Sequence, residues 1–357
     1  MNLPRAFCHY AITACLLLVA ASCSKSSHAK IKEPPITGKP SDAPVELKAQ
    51  WQPGKRYVIR MELTRGSEVR RANQREPLQR EDRLAQEVAV TVTNAPNGNR
   101  GLELELLALE LEITQGERSL VHYASQNELV SATGNPVIES LEKLIGGHIY
   151  YLLSPENKVL RMEGVKEFLE RADGSAPVSA GAGRPNQPRR TTSVRSYYNP
   201  DSLRAILDLS GLPDKPVRVG DSWPVQRSFP AGSGGASVVN ATYTFKGWQE
   251  HDRKKCARID ISSALGAKPS NAPARQGTSS PLKDSKLSGQ CWVDLALEFP
   301  VETVLDQSYT VNTVVAQPRP GTNAPAQNQP GTNAAPQTVS SPVRQNLSIK
   351  LLEVTTL

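Results

Sequence analysis

Residues 102–113 read LELELLALELEI, and no stretch restricts the fold of this chain more tightly. Leucines alternate with Glu103 and Glu105, then with Glu110 and Glu112. A period of two belongs to a strand with one wet face, even though Leu and Glu are individually good helix formers. The flanks decide for the strand: EVAVTVTN (87–94) and the turn signal APNGNRG (95–101) come immediately before it, so the pattern is that of a hairpin. The alternation slips at Leu106-Leu107. Leu102, Leu104 and Leu106 share one face, and Leu107, Leu109, Leu111 and Ile113 then take over the apolar role. A bulge at that point keeps both apolar sets on the core side and all four glutamates outside.

The rest of the body repeats this grammar. GKRYVIRMEL (54–63), LAQEVAVTVTN (84–94), HIYYLLS (148–154), ATYTFKGW (241–248), ARIDISS (257–263), QCWVDLAL (290–297), VETVLDQSYTVNTVV (301–315) and QNLSIKLLEVTT (345–356) are rich in β-branched or aromatic residues. Turn chemistry at Pro96-Asn97-Gly98-Asn99, Ser154-Pro155-Glu156-Asn157 and Glu298-Phe299-Pro300 separates them, so the strands should pair antiparallel. Three helices are predicted. NPDSLRAILDLSG (199–211) has Asn199 as N-cap, Pro200 at the first helical position and Gly211 as its stop, while PVIESLEKLIGG (136–147) and EGVKEFLERA (163–172) are shorter amphipathic segments. The expected class is mainly β, a β-rich α+β fold of antiparallel sheets with a few short packed helices.

Two strand openers match, WQPGKRYVIR (51–60) and VRVGDSWPVQ (217–226): an apolar residue three before Gly and an aromatic three after it, at Gly54 with Tyr57 and Gly220 with Trp223. They make the body a candidate duplication, with a first β-rich half at 46–172, a polar Pro-rich linker at 173–196 and a second half at 197–357. Two unrelated strand starts would account for the same residues. A low-complexity insertion, 316–342, carries PGTNAP and PGTNAAP and interrupts the final hairpin, at little entropic cost because loop closure depends only weakly on length.

The N-terminus carries an address. A short basic start (Met1 to Arg5) and the apolar run Ala11 to Ala21 precede Ser22-Cys23-Ser24-Lys25, too short for a membrane span of roughly 20 residues and of the size of a secretory core. Ala20-Ala21-Ser22-Cys23 resembles the lipobox of bacterial lipoproteins, departing at Ala20, where the family carries Leu or a larger apolar residue. Ile12-Thr13-Ala14-Cys15 also fits but leaves almost no apolar run ahead of it. The resemblance implies a signal peptide at 1–22, lipid on Cys23, a solvated tether at 23–45 and export to the bacterial cell envelope, on the periplasmic or surface side of the outer membrane. The body resembles exported bacterial protein families that share Gly-x-x-aromatic openers, a likeness confined to the two openers that carries no activity over. By analogy of architecture, curved antiparallel sheets with helices on one side recur in envelope lipid-carrier lipoproteins.

Charge and motifs narrow the chemistry. The formal charge is +7 over 357 residues, but 42 basic residues are dispersed among 35 acidic ones and aromatics make up 5%, so no basic stripe interleaved with aromatics marks a nucleic-acid surface. Of five cysteines, Cys8 and Cys15 leave with the signal and Cys23 takes the lipid, so Cys256 and Cys291 remain as a candidate disulfide or as two buried thiols. His122, His148 and His251 lack ligand spacing, so no metal or cofactor is expected. Same-face glutamates on a strand stand about 6.6–7 Å apart, inside the roughly 6.5–9.5 Å of an inverting glycosidase pair, but catalysis also needs one carboxyl to be desolvated. No nucleophile elbow, phosphate loop or zinc-protease motif occurs. The expectation is a non-enzymatic envelope lipoprotein that binds an apolar ligand or an envelope protein partner. The rival is a hydrolase acting on envelope polysaccharide through strand-borne carboxylates.

Overall fold

In the computed structural model the slip in the leucine run is a bulge: Leu106 pairs with Val88 and Ala108 with Glu87, leaving Leu107 as the extra residue. Leu102, Leu104, Leu106, Leu109, Leu111 and Ile113 are all buried, whereas the four glutamates are half-buried on the other side. The described residues are 43–69, 77–127, 136–173, 198, 200, 203–204, 207, 209, 211–230, 236–263, 283–315 and 337–357, all within the unit Ile36–Leu357. The signal, Cys23 and most of the tether and linker lie outside them.

The strands are β1 (Lys55–Val69), β2 (Leu78–Asn94), β3 (Arg100–Gln115), β4 (Arg118–Ala124), β5 (His148–Leu153), β6 (Val159–Glu163), β7 (Ser222–Pro230), β8 (Ala236–His251), β9 (Lys254–Ser262), β10 (Lys283–Asp294), β11 (Phe299–Val315) and β12 (Gln337–Thr356). They form one antiparallel sheet in the order β6-β5-β3-β2-β1-β12-β11-β10-β9-β8-β7, with β4 on β3 beyond β5. First and last strands meet at its centre. α1 (Pro136–Glu142) and α2 (Val165–Asp173) are the helices expected from 136 and 163; of the third, Leu203 and Arg204 are helical and most of the remainder lies outside the described residues.

Turn residues fall where their backbone preferences put them. Asn97 and Gly98 both take left-handed φ, 62° and 73°, in the β2–β3 turn, a conformation that Gly adopts freely and Asn better than most. In the β5–β6 turn the Ser154 hydroxyl accepts the N–H groups of Glu156 and Lys158. Two boundaries differ from the sequence reading. The β10–β11 turn spans Leu295–Glu298, so Phe299 and Pro300 open β11. The final hairpin also closes further out, because 337–342 pair with Thr310–Val315. Pro342 is tolerated there since, among the described residues, β1 pairs with β12 only as far as Val343.

The two openers are geometrically alike. Tyr57 pairs with Val90 and the Gly54 N–H reaches Val92 O, two residues on, at 2.9 Å; Trp223 pairs with Tyr243 and the Gly220 N–H reaches Phe245 O, again two residues on, at 2.8 Å. Both glycines have positive φ, 78° and 94°. Read from the β7 edge, the sheet runs β7 to β12 and then β1 to β6, so the two halves cross it in the same direction.

Because cross-strand partners share a face, the register assigns every side chain to one of two sides. On the apolar side one cluster unites β1, β2, β3 and β5 with α1, α2, Tyr198, Leu203 and Leu207. Its aromatic centre is Trp51, Tyr57 and Phe299, with ring centroids 4.8–5.1 Å apart. A second cluster, on β8 to β11, is joined by Leu47 and Val217.

Candidate ligand-binding face

The glutamate face is a charge ladder. Arg56 lies 3.1 Å from Glu105; Arg60 contacts Glu62, Glu87 and Glu110 at 2.8, 3.0 and 3.4 Å; and Glu103 takes His148 at 3.0 Å and the Tyr150 hydroxyl at 3.1 Å. The Glu62, Glu87 and Glu110 carboxylates hold Arg60 firmly charged, and the Glu103 hydrogen bond pushes the Tyr150 phenol up. Side chains of Glu103, Glu105 and Glu110 keep 34–43% of their exposure. Carboxylates this exposed, two of them beside guanidinium groups, lack the desolvation that makes a general acid.

Cys256 and Cys291 are buried thiols not joined in a disulfide. They lie on paired strands, but Cys256 faces Asp294 while Cys291 faces Ile259, three positions along, and an odd offset puts the two side chains on opposite faces. At about 3.3 Å per residue the separation exceeds what a disulfide spans. Burial pushes the Cys256 thiol up to about 11.

The histidines are less isolated than their spacing implies. His251 stacks on Trp292 with centroids 4.3 Å apart, and its Nε2 lies 2.5 Å from a Glu302 carboxylate oxygen. With Asp252 these residues bring donor atoms suited to a metal within 4.8 Å of one another, a grouping invisible in sequence because Glu302 is 51 residues from His251. The Lys350 ammonium, 2.8 Å from the Asp252 carboxylate, already supplies a cation there. On the polar side of β8 to β11 an open groove of ≈ 610 Å³ is lined by Thr244, Lys246, Asp260, Gln290 and Asp306. Its carboxylates are engaged, Asp260 by Arg258 at 2.9 Å and Asp306 by Asn346 at 2.8 Å.

The apolar side is different at the middle of the sheet. Leu347, Ile349, Leu351 and Val354 of β12, and Leu63 beside them, are only partly buried although β12 is the central strand. Leu347 packs toward the second cluster and the others toward the first, so β12 forms a floor between two covered regions. Leu111, Leu84, Leu63, Leu347 and Leu305 make a row across five adjacent strands. One level further along, the row becomes Asp82, Arg65, Gln345 and Gln307. Gln307 and Tyr309, 6% and 4% exposed, belong to neither cluster. Among the described residues, Arg65 Nε, Ser285 Oγ, Gln307 Nε2 and the Tyr309 hydroxyl are buried without a hydrogen-bond partner. These residues leave little trace in the sequence beyond the break that Gln307 and Arg65 make in the apolar alternation of β11 and β1.

No protein-family model matches the sequence, and no curated protein matches it. Among solved structures the chain is similar to one described as showing lipid–protein interactions in lipovitellin, with a TM-score of 0.44 and 11% identity over 86% of this chain; it spans about a quarter, 26%, of that one. It is also similar to an outer membrane lipoprotein-sorting protein domain from Vibrio parahaemolyticus (TM-score 0.15, 7% identity, 84% of each chain). A DUF1329 family protein from Desulfovibrio piger matches at a TM-score of 0.14 and 8% identity, over 83% of this chain and 85% of that one. Likenesses this slight fix neither fold nor function, so the functional reading rests on the geometry of the chain itself.

Proposed function

We propose that this protein is exported, held to the envelope by lipid on Cys23, and binds the apolar part of a lipid on the β12 floor without carrying out chemistry on it. The observation that carries the reading is the central strand: Leu347, Ile349, Leu351 and Val354 stay partly exposed between two covered hydrophobic clusters. A central apolar strand left partly open is a place where a ligand gains burial, at roughly 25 cal/mol per Å² of apolar surface. The guanidinium-paired glutamates support binding over catalysis, and the alternating face that advertised them is a solvated one. The matched openers support descent of the body from a duplicated unit.

The test uses the full chain in a mild neutral detergent, titrated with 1-aminoanthracene and competed with dioctanoylglycerol. Saturable binding, displaced by the lipid and unchanged in Glu105→Gln and Glu110→Gln, is expected. Absence of probe binding by the folded wild-type chain overturns the ligand reading. For the anchor, Cys23→Ser should move the protein out of the membrane fraction, and undiminished attachment would shift the anchor elsewhere.

A further inference from the structure

Four of the polar groups at the distal end of the β12 floor can donate, and Gln345 between Arg65 and Gln307 adds an amide that both donates and accepts. Arg65 Nε, Gln307 Nε2, Ser285 Oγ and the Tyr309 hydroxyl are all donors, and none has a partner among the described residues. Register gathers them. Arg65 faces Gln345, which faces Gln307 on the next strand; Tyr309 faces Val343 one level further; and Ser285 lies in the irregular start of β10 between Lys283 opposite Thr310 and Lys286 opposite Ser308. Strands about 4.8 Å apart and same-face levels about 6.6–7 Å apart put the four backbone positions within a patch of about 14 by 7 Å, so a head group reaches all four only where the long Arg65, Gln307 and Tyr309 side chains converge on it.

Buried polar groups almost always have partners, so four orphaned donors in one place call for an acceptor-rich group between them. The charge agrees. Arg65 is a guanidinium, and the carboxylate across from it, Asp82, is already held by Arg80 at 2.8 Å. Burial pushes the Tyr309 phenol up while the Arg65 charge acts against it. The donors border the row of five leucines, so polar and apolar recognition meet at one boundary.

We propose that Arg65, Ser285, Gln307 and Tyr309 bind the anionic, oxygen-rich head of an amphipathic lipid, a phosphate-bearing one, whose chains lie along the β12 floor. This rests on the apolar-ligand reading above and names the ligand's other end. Guanidinium binds phosphate in forked, charge-assisted geometry, and neutral donors complete the shell.

The test titrates the full chain with three probes, dioctanoylphosphatidylglycerol, the neutral dioctanoylglycerol and inorganic phosphate, following tryptophan fluorescence. Wild type should bind the phospholipid at least tenfold more tightly than the neutral lipid. Tyr309→Phe and Gln307→Leu each remove an orphaned donor, so each should leave the ligand-free thermal midpoint unchanged or higher while erasing that preference. Neutral-lipid binding should stay within twofold. Equal affinity of wild type for both lipids, or full preference retained by both variants, overturns the head-group assignment and leaves the apolar reading standing. Inorganic phosphate binding as tightly as the phospholipid makes this a free-oxyanion site and overturns the lipid part. A lower midpoint in both variants shows the donors to be satisfied structurally, by water, and also overturns it. Failure of both lipids to bind wild type refutes the underlying reading instead.

Discussion

The bulge at Leu107 can be tested by changing the length of β3. Inserting one Ala after Leu107 moves everything beyond it by one position, so Leu109, Leu111 and Ile113, now 0–2% exposed, would face water and Glu110 and Glu112 would face the core. Each of the three apolar side chains contributes about 1.5–3 kcal/mol by burial, so the insertion should remove about 4.5–9 kcal/mol, much of the roughly 5–15 kcal/mol typical of a whole domain. Deleting Leu107 leaves strict alternation, because Ala108 then follows Leu106 and both keep their present partners on β2. Its cost arises on the other side of β3, where Arg100–Glu105 pair with β5, Glu110–Gln115 pair with β4, and Leu106 and Leu109 bond Gly147 and Ser125 between them. Drawing β4 and β5 together by about 3.3 Å should cost on the order of 1–3 kcal/mol. Urea unfolding followed by far-ultraviolet circular dichroism measures both variants. If the deletion proves as damaging as the insertion, phase does not govern this strand and the face assignment of the glutamates loses its basis.

Three further outcomes are expected. Glu103, Glu105, Glu110 and Glu112 changed singly to Gln should each shift urea stability by about 0.5 kcal/mol or less, since exposed ion pairs contribute little, whereas Leu109→Ala should cost about 2–5 kcal/mol. Iodoacetamide added without reductant should label both Cys256 and Cys291 in urea and neither quickly in the native protein, as mass spectrometry of the peptides would show; linked peptides would contradict the register. Arg171 of α2 donates to the carbonyls of Lys143, Ile145 and Gly146 after α1, at 2.9–3.2 Å, so Arg171→Met should lower stability by about 1 kcal/mol and increase amide exchange in 143–147.

The sequence was most legible where neighbours along the chain determine the outcome. The β3 phase slip, the Asn97-Gly98 turn and the start of α1 depend on local periodicity and backbone preference, and all three stand in the structure. β4 and β6 were not legible because they bury almost nothing: only Tyr123 is buried in β4 and no residue in β6, so neither leaves an alternating trace. The joining of β1 to β12 is a contact between strands some 280 residues apart, and no local pattern encodes it. The grouping of His251 with Glu302, and the split of Cys256 and Cys291 onto opposite faces, depend on register, which hairpin signals alone do not set.

The same limit explains why the donor cluster is absent from the sequence reading while the glutamates dominate it. A polar residue at an outward position completes an alternation and draws attention, but water satisfies it and it costs almost nothing. A polar residue at an inward position breaks the alternation and reads as noise, yet each buried donor without a partner costs about 1–3 kcal/mol. Four such donors lie near one another on the apolar side of this sheet. Even at the low end their combined cost of about 4 kcal/mol is comparable to the net stability of a marginal domain. A sheet with enough leucine and valine to fill those positions keeps Arg65, Ser285, Gln307 and Tyr309 there instead, and a ligand that satisfies them all at once would recover that cost as binding affinity. Selectivity for a charged head over a neutral one should therefore depend on these inward positions and be indifferent to the four glutamates.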